Sequence, residues 1–169
     1  MTPPGTQASK DQFRTEPRPE DVASVEALVR ASGVFSEAEI QIARELIEET
    51  LARGNVVTGY HFLFADGASS LDGYTCFGPI PATAARFELY WIAVRKSARR
   101  SGLARRLLRA SEASVRAMGG VMMIAETSTR ADYADAYKFY RAEGYSLLAE
   151  IADWHADGDG LAIFGKRLP

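Results

Sequence analysis

The stretch that most constrains this chain is an apolar run rich in aromatic and branched residues, Phe87 to Val94 (FELYWIAV). It passes through the basic turn Arg95 to Ser101 (RKSARRS) into a helical pattern opening at Gly102-Leu103-Ala104. A strand that feeds a glycine-containing loop and then a helix leaves several first-turn N–H groups unpaired and aims them at one point, where the helix dipole adds positive potential. Such a point attracts a phosphate. A short glycine pattern alone says little, because many arise by chance; the strand before it and the helix after it give this one weight.

The rest of the composition narrows the partners. A chain of 169 residues with 47% apolar content fills one sizeable core, so a single domain over 13–169 is expected. The polar first dozen residues, rich in Pro, Gly, Ser and Thr, bury too little surface to offset ordering, and a disordered tail is expected over 1–12. A net charge of −2 gives no global reason to bind nucleic acid or an anionic membrane. Basicity is concentrated in Arg95, Lys96, Arg99, Arg100, Arg105, Arg106 and Arg109, which suits a small anion better than a polymer. No apolar run approaches the roughly 20 residues of a membrane span, and no signal segment opens the chain, so a cytoplasmic protein is expected. The lone cysteine, Cys76, forms no internal disulfide, two histidines without cysteine partners make no structural zinc site, and no metal is implied.

Periodicity supplies the elements. Pro19-Glu20-Asp21 reads as a first helical turn, followed by the stripe Val22, Val25, Leu28 and Val29, ending near Ser32-Gly33. Phe13 to Arg18 before it suits a short edge strand. Ser36 and Glu39 have capping-box spacing, and Ile40, Ala43, Ile47 and Leu51 share one helical face up to Gly54. Val56 to Ala65 and Gly73 to Phe77 read as strands joined by a hairpin loop over Asp66 to Ser70. After the helix from Gly102 to about Met118, Gly119-Gly120 stops it, and Val121 to Glu126 reads as a buried strand. A helix spans Ala131 to Glu143 with Gly144 as its cap. Tyr145 to Trp154 and Leu161 to Leu168 form a closing antiparallel pair linked through His155 to Gly160. This is a mixed α/β order, without the strict alternation of a Rossmann fold and without internal repeats.

Three features give the chain a family resemblance. Arg99-Arg100-Ser101-Gly102-Leu103-Ala104 fits Arg/Gln-x-x-Gly-x-Gly/Ala, and Ala136, Phe139, Tyr140, Gly144 and Tyr145 fit a helix string Ala-x-x-Phe-Tyr-x-x-x-Gly-Phe/Tyr. Glu88 stands six residues before the end of the central strand. Over roughly Arg14 to Leu168 the chain resembles the GNAT superfamily of acyl-CoA-dependent N-acetyltransferases. It departs at Tyr133, where many relatives carry an asparagine that contacts the cofactor arm, and in a longer Thr127 to Asp132 loop.

The resemblance implies a mixed, mostly antiparallel central sheet with one splayed parallel strand pair, flanked by helices. It implies acetyl-CoA as co-substrate, its pantetheine arm pairing with the backbone of Ile92, Ala93 and Val94 as an added strand would. Its pyrophosphate would rest on amides of Arg100, Ser101, Gly102, Leu103, Ala104 and Arg105, with Arg99 also cofactor-binding, an N–H near Val94 would face the thioester oxygen, and Tyr140 would protonate the leaving sulfur. The acceptor amine, with a pKa of about 10.4 if lysine-like, needs a base; Glu88 is the first candidate and Glu126 the second. Direct attack in a ternary complex follows, with a small-molecule amine favoured over a protein as acceptor.

Each assignment has a plainer reading. Tyr140 alone reads as a core aromatic, Glu88 and Glu126 as polar positions on a strand face, and Gly102 as a helix-start glycine. The arginines from Arg105 to Arg109 read mostly as a solvated helix face, with Arg109 and Arg116 spaced to pair with Glu112. Cys76 reads as a small buried hydrophobe. His61, Tyr74, Trp154 and His155 fall where an acceptor pocket could be lined, though core or surface roles suit them too, and Asp157-Gly158-Asp159-Gly160 is either a cation-attracting turn or a plain hairpin connection. The same fold also serves a longer acyl chain or a catalytically silent acyl-CoA-binding module. Oligomeric state is not legible, and a homodimer stays open.

Overall fold

In the computed structural model, which describes residues 13–169, the chain forms α1 (Asp21–Ser32), α2 (Glu37–Arg53), α3 (Asn55–Thr58), β1 (His61–Asp66), β2 (Leu71–Pro79), β3 (Arg86–Val94), α4 (Leu103–Ala117), β4 (Met122–Ser128), α5 (Ala134–Ala142), β5 (Ser146–Ala156) and β6 (Asp159–Arg167). The tail expected over 1–12 lies outside the described residues. The strands make one sheet in the order β1-β2-β3-β4-β6-β5, antiparallel throughout except where β3 meets β4. This is the expected mixed architecture. Among the described residues no helix is long and apolar enough to cross a membrane.

The sheet divides the core in two. On one face, Val25, Leu28 and Val29 of α1 and Ile40, Ala43 and Ile47 of α2 pack on Phe62, Phe64, Tyr74 and Cys76. On the other, Leu103, Leu107, Leu108 and Val115 of α4 and Tyr140 of α5 pack on Phe77, Phe87, Leu89, Met123 and Phe164. The Ser36–Glu39 capping box is present at the start of α2. Leu51, expected on the buried stripe, is 39% exposed, and Thr50 is buried in its place. The positions three and four residues beyond Ile47 flank the buried meridian of Ile40, Ala43 and Ile47 by nearly equal angles, so helical period alone does not choose between Thr50 and Leu51.

Several boundaries move for physical reasons. The strand expected from Val56 begins only at His61: Gly54 and Gly59, at φ 79° and 74°, bracket the short α3 and leave Val56 93% exposed, so tertiary geometry overrides valine's strand preference. The edge strand expected at Phe13 to Arg18 contracts to a single bridge between Arg14 and Phe64. Arg14 is the reason that bridge holds. Its guanidinium lies 4.3 Å above the Phe64 ring and binds both the buried Asp21 (2.7 Å) and Asp66 (2.8 Å). At the far end, the expected six-residue link shrinks to Asp157-Gly158, with Ala156 already paired to Asp159 and Gly158 in the left-handed region at φ 79°.

The arginines of α4 are more than a solvated face. Arg105 and Arg109 reach Glu143, just past α5, at 2.7 and 3.0 Å, and Glu143 is buried. Arg109 therefore serves Glu143 and not Glu112, which is held instead by Lys166 (2.9 Å) and Arg116 (3.6 Å). The Glu143 clamp ties the start of α4 to the end of α5. Both arginines remain largely exposed and can resolvate when the clamp is lost, so Glu143→Ala is expected to cost about 1–2 kcal/mol. Urea unfolding measures this, and an unchanged midpoint would show that the clamp contributes nothing to stability.

Candidate active site

The site originates in a mismatch along β3. Leu89 pairs with Phe77 and Trp91 with Cys76, so Tyr90 is an extra residue, a β-bulge. A bulge bends its strand and resets which face each side chain occupies. Leu89 and Ile92 consequently both pack toward α4 and α5, while Tyr90, Trp91 and Ala93 pack toward α1 and α2. The parallel pairing of β3 with β4 ends at Leu89 and Ala125, although β3 continues to Val94 and β4 to Ser128. Beyond that point the facing edges of the two strands have no partner strand among the described residues. Unpaired backbone edges are open to an extended ligand.

A cavity of about 590 Å³ fills this divergence. Its walls are Leu89 to Ile92 of β3, Glu126 to Ser128 of β4, Ala136 and Tyr140 of α5, and Phe35, Glu39 and Ile42 from the α1–α2 turn and α2. Tyr140 is buried among Tyr145, Phe164 and Phe139 at ring separations of 5.4 to 5.5 Å, and burial pushes its phenol well above the ordinary tyrosine range. It stays protonated near neutrality and reaches the cavity wall.

The two carboxylate candidates lie on one face of the sheet, since Phe87, Leu89, Met123 and Ala125 point to the other. Glu126 lines the cavity, is exposed, and makes no ion pair among the described residues. Glu88 sits behind it, opposite Ile124, half-buried and outside the cavity wall. Burial, reinforced by the negative charge of Glu126, pushes its carboxyl up to about 7.

The basic turn has the geometry its sequence suggests. A 3-10 turn over Lys96–Ala98 leads to Arg100 at φ 63° and Gly102 at φ 76°, both left-handed, and no side chain caps α4. Nothing lies within 4 Å of where a Cβ on Gly102 would sit, so the backbone conformation is what calls for glycine there. Several side chains here are engaged or buried: Ser101 Oγ donates to the Ala98 carbonyl (2.6 Å), Leu103 is buried, and Arg105 is held by Glu143, while Lys96, Arg99 and Arg100 are exposed. The first turn of α4 has no side-chain cap, which suits a phosphate cradle, but the Arg99 amide is already spent on the Lys96 carbonyl (3.3 Å), so the cradle starts at Arg100. Ile92 lines the cavity, whereas Ala93 is buried on the α1–α2 face, so its contribution to the open edge is its backbone.

Of the residues weighed as acceptor-pocket liners, His155 and Asp159 reach the cavity. Tyr74 is fully buried in the core and Trp154 is 59% exposed on β5. His61 lines a separate hollow of about 270 Å³ near the end of α4. Cys76 is buried, and its thiol is pushed well above its usual range by that burial. Phe35, Trp91 and Arg130 also line the cavity, and no shared spacing marks them because they come from separated segments; Tyr133, marked in the sequence as a departure from the family's asparagine, lines it as well.

Residues 28–145 match the profile of the acetyltransferase (GNAT) family. A crystal structure from Desulfovibrio desulfuricans, assigned to the GNAT family of acetyltransferases, is 37% identical, covers 94% of this chain and 99% of its own, and superposes with a TM-score of 0.89. An aminoglycoside 6'-N-acetyltransferase complexed with coenzyme A shares the fold at 16% identity and TM-score 0.70, over 90% of this chain and 93% of its own. The ribosomal-protein-S18-alanine N-acetyltransferase of Escherichia coli does so at 16% identity and TM-score 0.70, over 93% of each chain. No curated protein matches the sequence.

The raised Glu88 makes a prediction about folding. Its carboxyl titrates near 4.5 when unperturbed and near 7 in the fold, so the folded state holds the extra proton between those values. Stability from this group is fully present below the lower value and is lost as pH rises through the upper one. Unfolding free energies measured across that window should fall more steeply for the wild type than for Glu88→Gln, and parallel curves would contradict the assignment.

Proposed function

The chain belongs to the GNAT acetyltransferase family, and from that footing we propose that it moves the acetyl group of acetyl-CoA to a primary amine on a small molecule, by direct attack in a ternary complex. The observation that carries this reading is the divergence of β3 from β4. It has an uncapped helix N-terminus in the adjoining loop, and Tyr140 and Glu126 in its wall. Bound acetyl-CoA supplies an activated acyl thioester. The amides from Arg100 to Arg105 hold its pyrophosphate, with the exposed Arg99 side chain beside them, and the free backbone edge of Ile92 to Val94 aligns its arm.

An N–H near Val94 is aimed at the thioester oxygen, where a preorganised donor is worth roughly 3 kcal/mol of barrier. Tyr140 acts as the acid at the leaving sulfur. Free thiols titrate near about 8.5, below a phenol that burial has raised, so Tyr140 contributes mainly a hydrogen bond that strengthens as charge builds on sulfur. Glu88, poised near 7, takes the ammonium proton through water, because it lies behind the cavity wall; Glu126 meets the incoming cation directly. A cytoplasmic location fits the thioester supply this chemistry needs.

Three measurements test the proposal. Calorimetry with coenzyme A should show saturable binding that weakens in Gly102→Val, a change that strains the backbone at φ 76° without a side-chain clash. Failure of the folded wild type to bind coenzyme A would sink the reading. Tyr140→Phe should lower kcat by about 10²-fold or more, a typical acid–base contribution, with little change in coenzyme A affinity. The acidic limb of kcat/KM should break near pH 7 in the wild type and disappear in Glu88→Gln; if it persists, Glu88 is not the base.

A further inference from the structure

The acceptor half of the cavity has a composition that the reaction does not require. Phe35 and Trp91 meet edge-to-face with ring centroids 4.9 Å apart, and Phe35 meets Tyr133 at 6.4 Å. Ile42, 49% exposed, extends the same apolar wall. These rings come from the α1–α2 turn, β3 and the segment before α5, so the wall exists only while that turn stays down. Two hydrogen bonds hold it there: Tyr133 Oη and an Arg130 guanidinium nitrogen donate to the same acceptor, the Val34 carbonyl, at 3.2 and 3.3 Å.

The charges of this half are mostly spent. Arg130 is paired with Asp132 (3.0 Å) and Asp159 (3.3 Å), and Asp159 also accepts from Ser128 Oγ (2.5 Å). The Glu39 carboxylate is occupied by the capping box at Ser36. Glu126 is left as the one cavity carboxylate without an ion pair or hydrogen bond among the described residues. A polycation would find one free anionic partner beside edge-to-face rings. An amine with a single charge on a ring-sized apolar frame would find its ammonium opposite Glu126 and its frame against the rings, which also attract the cation.

We propose that the acceptor is a monocationic primary amine carried on an aromatic or similarly bulky apolar frame, and that Tyr133 is a positioning residue that holds the Phe35 wall of its slot. This rests on the acetyl-transfer reading above. The Tyr133 hydroxyl is turned to the α1–α2 turn 99 residues away.

The test measures thiol release from acetyl-CoA by the full chain with 2-phenylethylamine, spermidine and kanamycin, alongside calorimetry with coenzyme A. The expected result is a kcat/KM for phenylethylamine at least about tenfold above the other two, the scale of one well-packed ring contact. Phe35→Ala should raise the KM for phenylethylamine by about tenfold, and Tyr133→Phe, which deletes one hydrogen bond, by roughly three- to tenfold. Neither should move the KM for acetyl-CoA. Tyr133→Phe removes a single oxygen from a half-buried ring and keeps the test open if Phe35→Ala misfolds. A preference for spermidine or kanamycin, release with none of the three, or equal movement of both KM values overturns the inference while coenzyme A binding leaves the parent reading intact. Absence of coenzyme A binding removes both.

Discussion

The early end of the β3–β4 pairing governs the architecture around it. Parallel neighbours normally pair along their shared length, and here they separate after Leu89 and Ala125. The separation has a local cause in the extra residue at Tyr90, which bends β3 and turns both Trp91 and Ala93 to the α1–α2 side. It leaves backbone groups that the sheet does not satisfy, and such groups are tolerated where water or a ligand can reach them. The opening also sends β3 into the basic turn, so the uncapped amides of α4 and the open strand edge belong to one continuous piece of chain.

Polar contacts keep that opening in shape. Glu143 draws Arg105 and Arg109 together and so relates the phosphate-facing end of α4 to the helix that carries Tyr140. Arg14 ties the lead-in to α1 and the end of β1 to the Phe64 ring, and the Val34 carbonyl receives Arg130 and Tyr133 from the opposite wall. Each joins residues far apart in sequence, and each lies where an apolar contact alone would leave the elements free to slide. Catalysis by a preorganised donor depends on such restraint, because a hydrogen-bond donor misplaced by a fraction of an ångström no longer meets the charge it stabilises.

Local chemistry explains which parts were legible. The Ser36–Glu39 box, the Gly102 start of α4 and the Gly144 stop after α5 are signals contained in a few consecutive residues, and the structure realises them. Leu51 and Val56 misled because an apolar side chain names no direction: one lies past the buried meridian of α2, the other on a four-residue helix set by flanking glycines. Arg109 could reach either Glu112 on its own helix or Glu143 on the next, and spacing within one helix reveals only the first. In the site, Tyr140, Glu88 and Gly102 stood out through strings of neighbours and Tyr133 as a departure within one, whereas Phe35, Trp91 and Arg130 carried no string at all.

The sequence by itself determined the order of elements, the strand-turn-helix that presents bare amides, and the presence of a tyrosine and two acidic residues at the ends of neighbouring elements. These follow from short-range sterics, capping and periodicity, which act between residues a few positions apart. Only the tertiary structure decided that β3 leaves β4 after four residue pairs, that Glu88 lies behind the wall while Glu126 faces the cavity, and that the α1–α2 turn closes with an aromatic side. Those outcomes depend on burial and on pairing across up to 99 residues of chain. No local pattern encodes them, because the free energy that selects them is shared among elements that meet only once the sheet has formed.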